Sequence, residues 1–136
     1  MTYELKRHYG FGGLQVLEQY TSKSGESFEV VALIATGSPV TLITSETYEL
    51  LSDEEKKPLE KNFDIGIYYI PAIPNPKHGL IKNFTIGGKL WGDLQVLVCD
   101  CKIGYPNEII IGADIIMKCR SFQVDGGMVI FEKSEE

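Results

Sequence analysis

Side chains able to do chemistry are few in this chain, and most of them stand alone. Thr36-Gly37-Ser38 places two hydroxyls around a glycine, between two apolar runs of the stretch Val30-Val31-Ala32-Leu33-Ile34-Ala35-Thr36-Gly37-Ser38-Pro39-Val40-Thr41-Leu42. Such a turn offers hydroxyls and close backbone N–H groups, but Ala35 just before it supplies neither acid nor base. Ser38 has no histidine at a useful local spacing, which argues against a serine nucleophile. His8 and His78 are far apart without neighbouring ligands, so they read as surface histidines and not as a metal site. Cys99-Asp100-Cys101 lacks the second pair that a zinc or redox centre needs and reads as reduced thiols at a strand end. Gly87-Gly88 and Gly126-Gly127 precede no helix at phosphate-loop spacing and read as hairpin turns. The turn around residue 35 is the feature that the other elements must position.

Residues 30–34 read as a strand buried on both faces that then turns sharply. Before it, residues 14–20 form an apolar-rich strand, and the polar cluster Thr21-Ser22-Lys23-Ser24-Gly25 suits a hairpin back into 28–34. The glycine-dense Tyr9-Gly10-Phe11-Gly12-Gly13 is a bend or a mobile arm. After Leu42, Thr44-Ser45-Glu46-Thr47 has the form of an N-cap and first turn, with Tyr48, Leu50 and Leu51 as the apolar face. The charged residues 52–57 read as a solvated helix face or loop, and Pro58 ends or restarts the helix.

Residues 63–82 are the least regular. Ile65-Gly66-Ile67-Tyr68-Tyr69-Ile70 is strand-like, but Pro71, Pro74 and Pro76 forbid a central strand, which leaves an extended hairpin or long loop. A strand over 80–86, a tight turn at Gly87-Gly88-Lys89 and a period-two strand over 90–99 follow. The chain then gives a buried strand, Glu108-Ile109-Ile110-Ile111-Gly112, and a short amphipathic helix over 113–120. Asp114 is placed to cap that helix, with Lys118 and Arg120 at its C-terminal end. A last hairpin over 122–132 turns at Asp125-Gly126-Gly127. The expected architecture is a single all-β domain over 1–136, a closed barrel with one or two short helices.

At 136 residues and 43% hydrophobic content, one domain can bury an adequate core without staples. The net charge of −6 argues against a nucleic-acid partner. No run approaches the roughly 18 apolar residues of a membrane span. Met1-Thr2-Tyr3-Glu4-Leu5-Lys6-Arg7 has no apolar core behind its basic residues, so no secretory signal is expected. An odd set of three cysteines suggests reduced thiols, and the expected setting is cytoplasmic. No metal or cofactor is implied.

Two anchors give this chain a family resemblance. Ala32-Leu33-Ile34-Ala35-Thr36-Gly37-Ser38 is similar to the pattern apolar-apolar-Asp-Thr/Ser-Gly-Ala/Ser of the retropepsin-like aspartic proteases, small single-lobe enzymes that work as homodimers. Ile109-Ile110-Ile111-Gly112, followed by Ala113-Asp114-Ile115-Ile116, resembles that family's apolar-apolar-Gly strand and the helix behind it. Between them, residues 63–98 fit the place of the flap hairpin and the strands after it, and 122–131 fit the closing strands. The resemblance spans about 14–131. Either anchor alone is weak, and it is their order and separation that make the match specific.

The resemblance implies a dyad of two aspartates, one from each subunit, brought together by two-fold symmetry. Like charges so close cannot both ionise, so such a pair shares a proton; one carboxylate then activates water while the other polarises or protonates the scissile amide. By the same resemblance Thr36 hydrogen-bonds across the dimer, Gly37 lets backbone approach and donate an N–H, and Ser38 adds a polar contact. The strand ending Ile111-Gly112 wraps the turn in a psi-shaped crossing and borders the substrate. Tyr68, Tyr69, Ile70 and Ile73 either line the cleft as flap residues or are ordinary sheet packing. The implied substrate is an extended peptide or protein segment, bound as an added strand.

Ala35 stands where the family has its catalytic aspartate, so the sequence as written is expected to be inactive. Two origins are open: an engineered inactivating replacement, or a natural pseudoprotease that keeps a peptide groove as a binding or dimerisation module. Retention of Thr36, Gly37 and Ser38, which serve chiefly to organise the missing carboxylate, favours the first.

Overall fold

The computed structural model describes residues 1–9, 13–22, 24–51, 77–99 and 109–134, together with the backbone of 56–60. Among these residues ten strands and two short helices follow one another. They are β1 (Thr2–His8), β2 (Gln15–Thr21), β3 (Ser27–Ile34), β4 (Leu42–Thr44), α1 (Ser45–Leu50), β5 (Lys56–Glu60), β6 (Lys77–Ile86), β7 (Lys89–Cys99), β8 (Ile109–Ile111), α2 (Ala113–Ile116), β9 (Cys119–Asp125) and β10 (Met128–Lys133). All ten strands belong to one sheet, in the order β5-β6-β7-β4-β8-β3-β2-β1-β10-β9.

Local signals explain most of these elements. The turn between β2 and β3 closes through Ser22 N–H to Glu26 O and Gly25 N–H to Ser22 O, as its polar cluster suggested. Thr44 is the N-cap of α1, its hydroxyl accepting from Thr47 N–H at 3.2 Å. The Gly87-Gly88 and Gly126-Gly127 turns stand where expected between β6 and β7 and between β9 and β10.

Three expectations are corrected. Residues 56–60 are an edge strand and not part of a helix; an edge position tolerates Pro58 because one side of the strand carries no ladder. The second helix spans only Ala113–Ile116, and Arg120 lies on β9, bonded to Glu132 across the β9–β10 ladder. Pairing of Cys119 with Lys133 claims the chain before a longer helix can form. The N-terminal residues, assigned no element from sequence, form β1, whose Tyr3 and Leu5 point into the core. The expected flap region over 63–76, including Tyr68, Tyr69, Ile70 and Ile73, lies outside the described residues, as do residues 10–12 of the glycine-rich bend.

The expected closed barrel is met only in part. Among the described residues no ladder joins the edge strands β5 and β9. The sheet instead rolls until the β6–β7 turn meets β1 and β10 through side chains and single hydrogen bonds. Tyr3 Oη donates to Leu90 O at 2.5 Å, Lys89 Nζ to Thr2 O at 3.2 Å, and Lys133 Nζ to Trp91 O at 2.6 Å. Tyr3 and Trp91 stack at 5.1 Å with their rings tilted, and Lys133 Nζ lies 4.5 Å from the Trp91 ring centroid. Inside the roll sits the main core, with Leu5, Tyr48, Phe84, Ile86, Ile109, Ile111, Ile115 and Phe131 among its wholly buried side chains. Val40, Leu42, Leu97 and Cys99 form a second, smaller cluster, against which Ile110 packs.

Gly87 sits where roll and turn collide. Its φ is +60°, and a Cβ there would drive into the Glu4 carbonyl. Gly126 has nearly the same φ, +55°, but open space around it. Gly126→Ala is therefore expected to cost only the left-handed backbone penalty, about 1 kcal/mol. Gly87→Ala adds a backbone clash and should cost at least about 2 kcal/mol. Urea unfolding of the two variants side by side checks this, and equal midpoints would contradict the seating of the turn on β1.

Candidate functional site: the crossing at residues 35–41

Strands β3 and β4 are consecutive in the chain yet do not pair with each other. Strand β8 lies between them, parallel to β3 (Ala32 opposite Ile109, Ile34 opposite Ile111) and antiparallel to β4 (Leu42 opposite Ile110). The connection from β3 to β4 must therefore cross the end of β8, which is a psi-shaped crossing. Residue 35 sits where that crossing begins.

Ala35 is half-buried and donates its N–H to Ile111 O at 3.0 Å, extending the β3–β8 pairing by one residue. Ser38 N–H returns to Ala35 O at 3.2 Å and closes a four-residue turn with Thr36 and Gly37 at its exposed apex. Ser38 Oγ donates to Val40 O at 2.8 Å, while its carbonyl accepts from Ala113 N–H at 2.7 Å. The loop thus lies directly on the junction between β8 and α2. Gly112 makes this approach possible: a Cβ there would meet the Val40 carbonyl and lie 2.7 Å from Ser38 O. Its φ of −95° is one any residue can adopt, so proximity and not backbone conformation demands glycine.

Thr41 fastens the crossing. It is fully buried, and every polar atom it has is used. Its N–H donates to Asp114 Oδ2 at 3.1 Å and its hydroxyl to Asp114 Oδ1 at 2.8 Å. The same hydroxyl oxygen accepts from Gly112 N–H at 3.2 Å, and the Thr41 carbonyl accepts from Leu97 N–H at 3.0 Å. One residue so joins the loop, β7, the end of β8 and the start of α2. Asp114 was expected to cap α2. The cap position belongs to Gly112, without a side-chain cap bond, while Asp114 spends its carboxylate on Thr41 and on Ile115 N–H.

Sequence reasoning therefore missed Thr41 as a site residue and misassigned Asp114. The available clue was the lone threonine breaking the apolar run Val40-Thr41-Leu42-Ile43: a hydroxyl in a buried strand needs a partner. Of the other expected site residues, Ile111 is wholly buried in the core and Gly112 is buried beneath residues 38–40. Gly37 differs from Gly112: a Cβ on it would meet nothing within 4 Å, and its φ is not left-handed. Nothing within the described chain explains a glycine at 37. At the apex the site offers a threonine hydroxyl and backbone amides, and Ala35 brings no proton-transfer group. Among the described residues no group of three His, Cys, Asp or Glu side chains is arranged to hold a metal.

Thr41→Val keeps the volume but strands the Gly112 N–H and removes a donor from Asp114. It is expected to destabilise the fold by about 2–3 kcal/mol, whereas Thr41→Ser, which keeps the hydroxyl, should cost less than about 1.5 kcal/mol. Chemical denaturation of both variants measures the difference, and a silent Thr41→Val would show that the crossing does not depend on the hydroxyl.

No protein-family model matches this chain, and no curated protein matches it by sequence. Its structure is similar to the crystal structure of a retropepsin-like aspartic protease from Rickettsia conorii. The TM-score is 0.56 at 13% sequence identity, over 96% of this chain and 89% of that one. At that identity the likeness is one of fold: rolled sheet, crossing and short helix together form an architecture like that of a retropepsin-like aspartic protease.

Proposed function

We propose that the chain is one subunit of a homodimeric aspartic endopeptidase, disarmed because Ala35 occupies the position of its catalytic aspartate. The observation that carries this reading is the crossing itself. It fixes residue 35 at the end of β3 by the bond to Ile111 O and holds the exposed Thr36-Gly37 apex above a glycine-spaced junction. A carboxylate at 35 would be held by a rigid backbone at the edge of a surface that a second copy can meet. Gly37, which nothing among the described residues requires, fits a place where the partner's backbone comes close. Two such carboxylates sharing one proton supply both the base that activates water and the acid that assists departure of the amine. In this reading Ser38, Tyr68, Tyr69, Ile70 and Ile73 border an extended peptide, while the buried Ile111 and Gly112, expected at the same surface, act from beneath by holding the loop in place. Ala35 is read as an inactivating replacement, because its supporting residues still have the types a carboxylate needs. The alternative is a natural pseudoprotease that uses the same groove for peptide binding or dimerisation; the mutation below separates the two.

Ala35→Asp is expected to restore hydrolysis of a casein-like substrate between about pH 4 and 6, where a carboxylate pair holds a single proton. The gain should be at least about a thousandfold over the Ala35 chain, and pepstatin-type inhibitors should abolish it. Ala35→Asn, which is polar but cannot exchange the proton, should remain inert. A folded, dimeric and inactive Ala35→Asp protein would sink the protease reading in favour of the binding module, and a monomer by light scattering would sink both.

A further inference from the structure

A second feature lies away from the crossing, where the β6–β7 turn meets β1 and β2. Glu18, on β2, is only 1% exposed. Its Oε1 accepts from Gly87 N–H at 3.1 Å and from Gln19 N–H at 3.3 Å, while its Oε2 is buried with no hydrogen-bond partner among the described residues. Gly87 is itself pressed against the Glu4 carbonyl, so the turn cannot settle closer to β1 and the Glu18 carboxyl fills the seam. Alongside runs a cleft of about 400 Å³ bordered by Glu4, Lys6, Gln19, Glu29 and Gly88.

We propose that the protonated Glu18 carboxyl is the latch that seats the β6–β7 turn on β1 and β2, and that loss of this proton lets the turn lift so that water from the cleft can reach the carboxylate. The groups facing the seam do little to hold a charge there. Strand β1 presents Glu4 and Lys6, β3 presents Glu29, β2 adds the neutral Gln19, and the hairpin brings only Gly87 and Gly88. Lys89, the next residue of the hairpin, reaches instead to Thr2 O. Burial pushes the Glu18 carboxyl up to about 8, and the two backbone N–H bonds offset only part of that. Because its folded value is raised above the ordinary 4.5, the stability tied to this proton is complete below that ordinary value. It declines as pH rises from there through about 8, then levels off. The latch does not depend on the proposed protease activity.

The test uses the full chain with no ligand. The Glu18 side-chain carboxyl is followed by carbon-13 NMR between pH 4 and 9, and protection of the Gly87 amide against hydrogen exchange is measured over the same range, corrected for intrinsic exchange. Glu18 should titrate near pH 8, and Gly87 protection should fall roughly a hundredfold between pH 5 and 8. Glu18→Gln imitates the protonated form, and its Gly87 protection should stay flat with pH. A Glu18 midpoint in the ordinary carboxylate range would overturn the proposal. So would a midpoint near 8 with unchanged Gly87 protection, which would mean that water enters while the turn stays seated. Both outcomes are read on the unaltered protein, so a Glu18→Gln chain that failed to fold would leave the test intact.

Discussion

A single buried hydroxyl governs how this chain crosses itself. Thr41 donates to Asp114, accepts from Gly112, and anchors its backbone to Asp114 and Leu97. Without a partner, each of these buried polar groups would cost on the order of 1–3 kcal/mol, so the arrangement tolerates few alternatives. That constraint places the loop over the end of β8, and β8 between β3 and β4. The position of residue 35 follows from it. The geometry holds although Ala35 has no side-chain polar group of its own, because the surrounding backbone and Thr41 do the fixing.

The seam at the β6–β7 turn follows a different rule. There, among the described residues, the sheet rolls without a ladder between its edges, and the turn at Gly87 docks by close backbone approach, an aromatic pair and a few long-range hydrogen bonds. Ladders distribute stability over many equivalent bonds, whereas a seam of single contacts concentrates it in a few side chains. The crossing and the seam thus differ in how they fail. The first is over-determined by interlocking bonds, and the second hinges on individual groups such as Tyr3, Glu18 and Lys133.

Elements whose reasons are local were legible in the sequence. The β2–β3 hairpin, the Thr44 cap, the two glycine turns and the strands ending at Ile34 and Ile111 all declare themselves within a few residues. Elements whose reasons lie far along the chain were not. Strand β1 shows only a brief alternation, Tyr3 and Leu5 against Glu4 and Lys6, and owes its place to β10 more than a hundred residues later. Lys56–Glu60 looks unfit for a sheet until its edge position accounts for Pro58. Helix α2 is cut short by a ladder partner that local amphipathicity cannot foresee. At the site, the residue types at 35–38 and at Gly112 were readable as a motif. The tie between Thr41 and Asp114, 73 positions apart, belongs to the tertiary structure alone.

The interleaving of β8 between β3 and β4 also sets an order of events. During synthesis the segment through Thr41 leaves the ribosome long before Ile109–Ile111 and Asp114 exist, so the turn at 35–38 first emerges without the strand it crosses or the carboxylate that fastens it. Contacts of such long sequence separation form late and slowly. The crossing can be completed only once the chain has been made through Asp114. Under the proposed function, an aspartate at 35 would therefore sit on an unfastened turn until β8 and Asp114 had emerged.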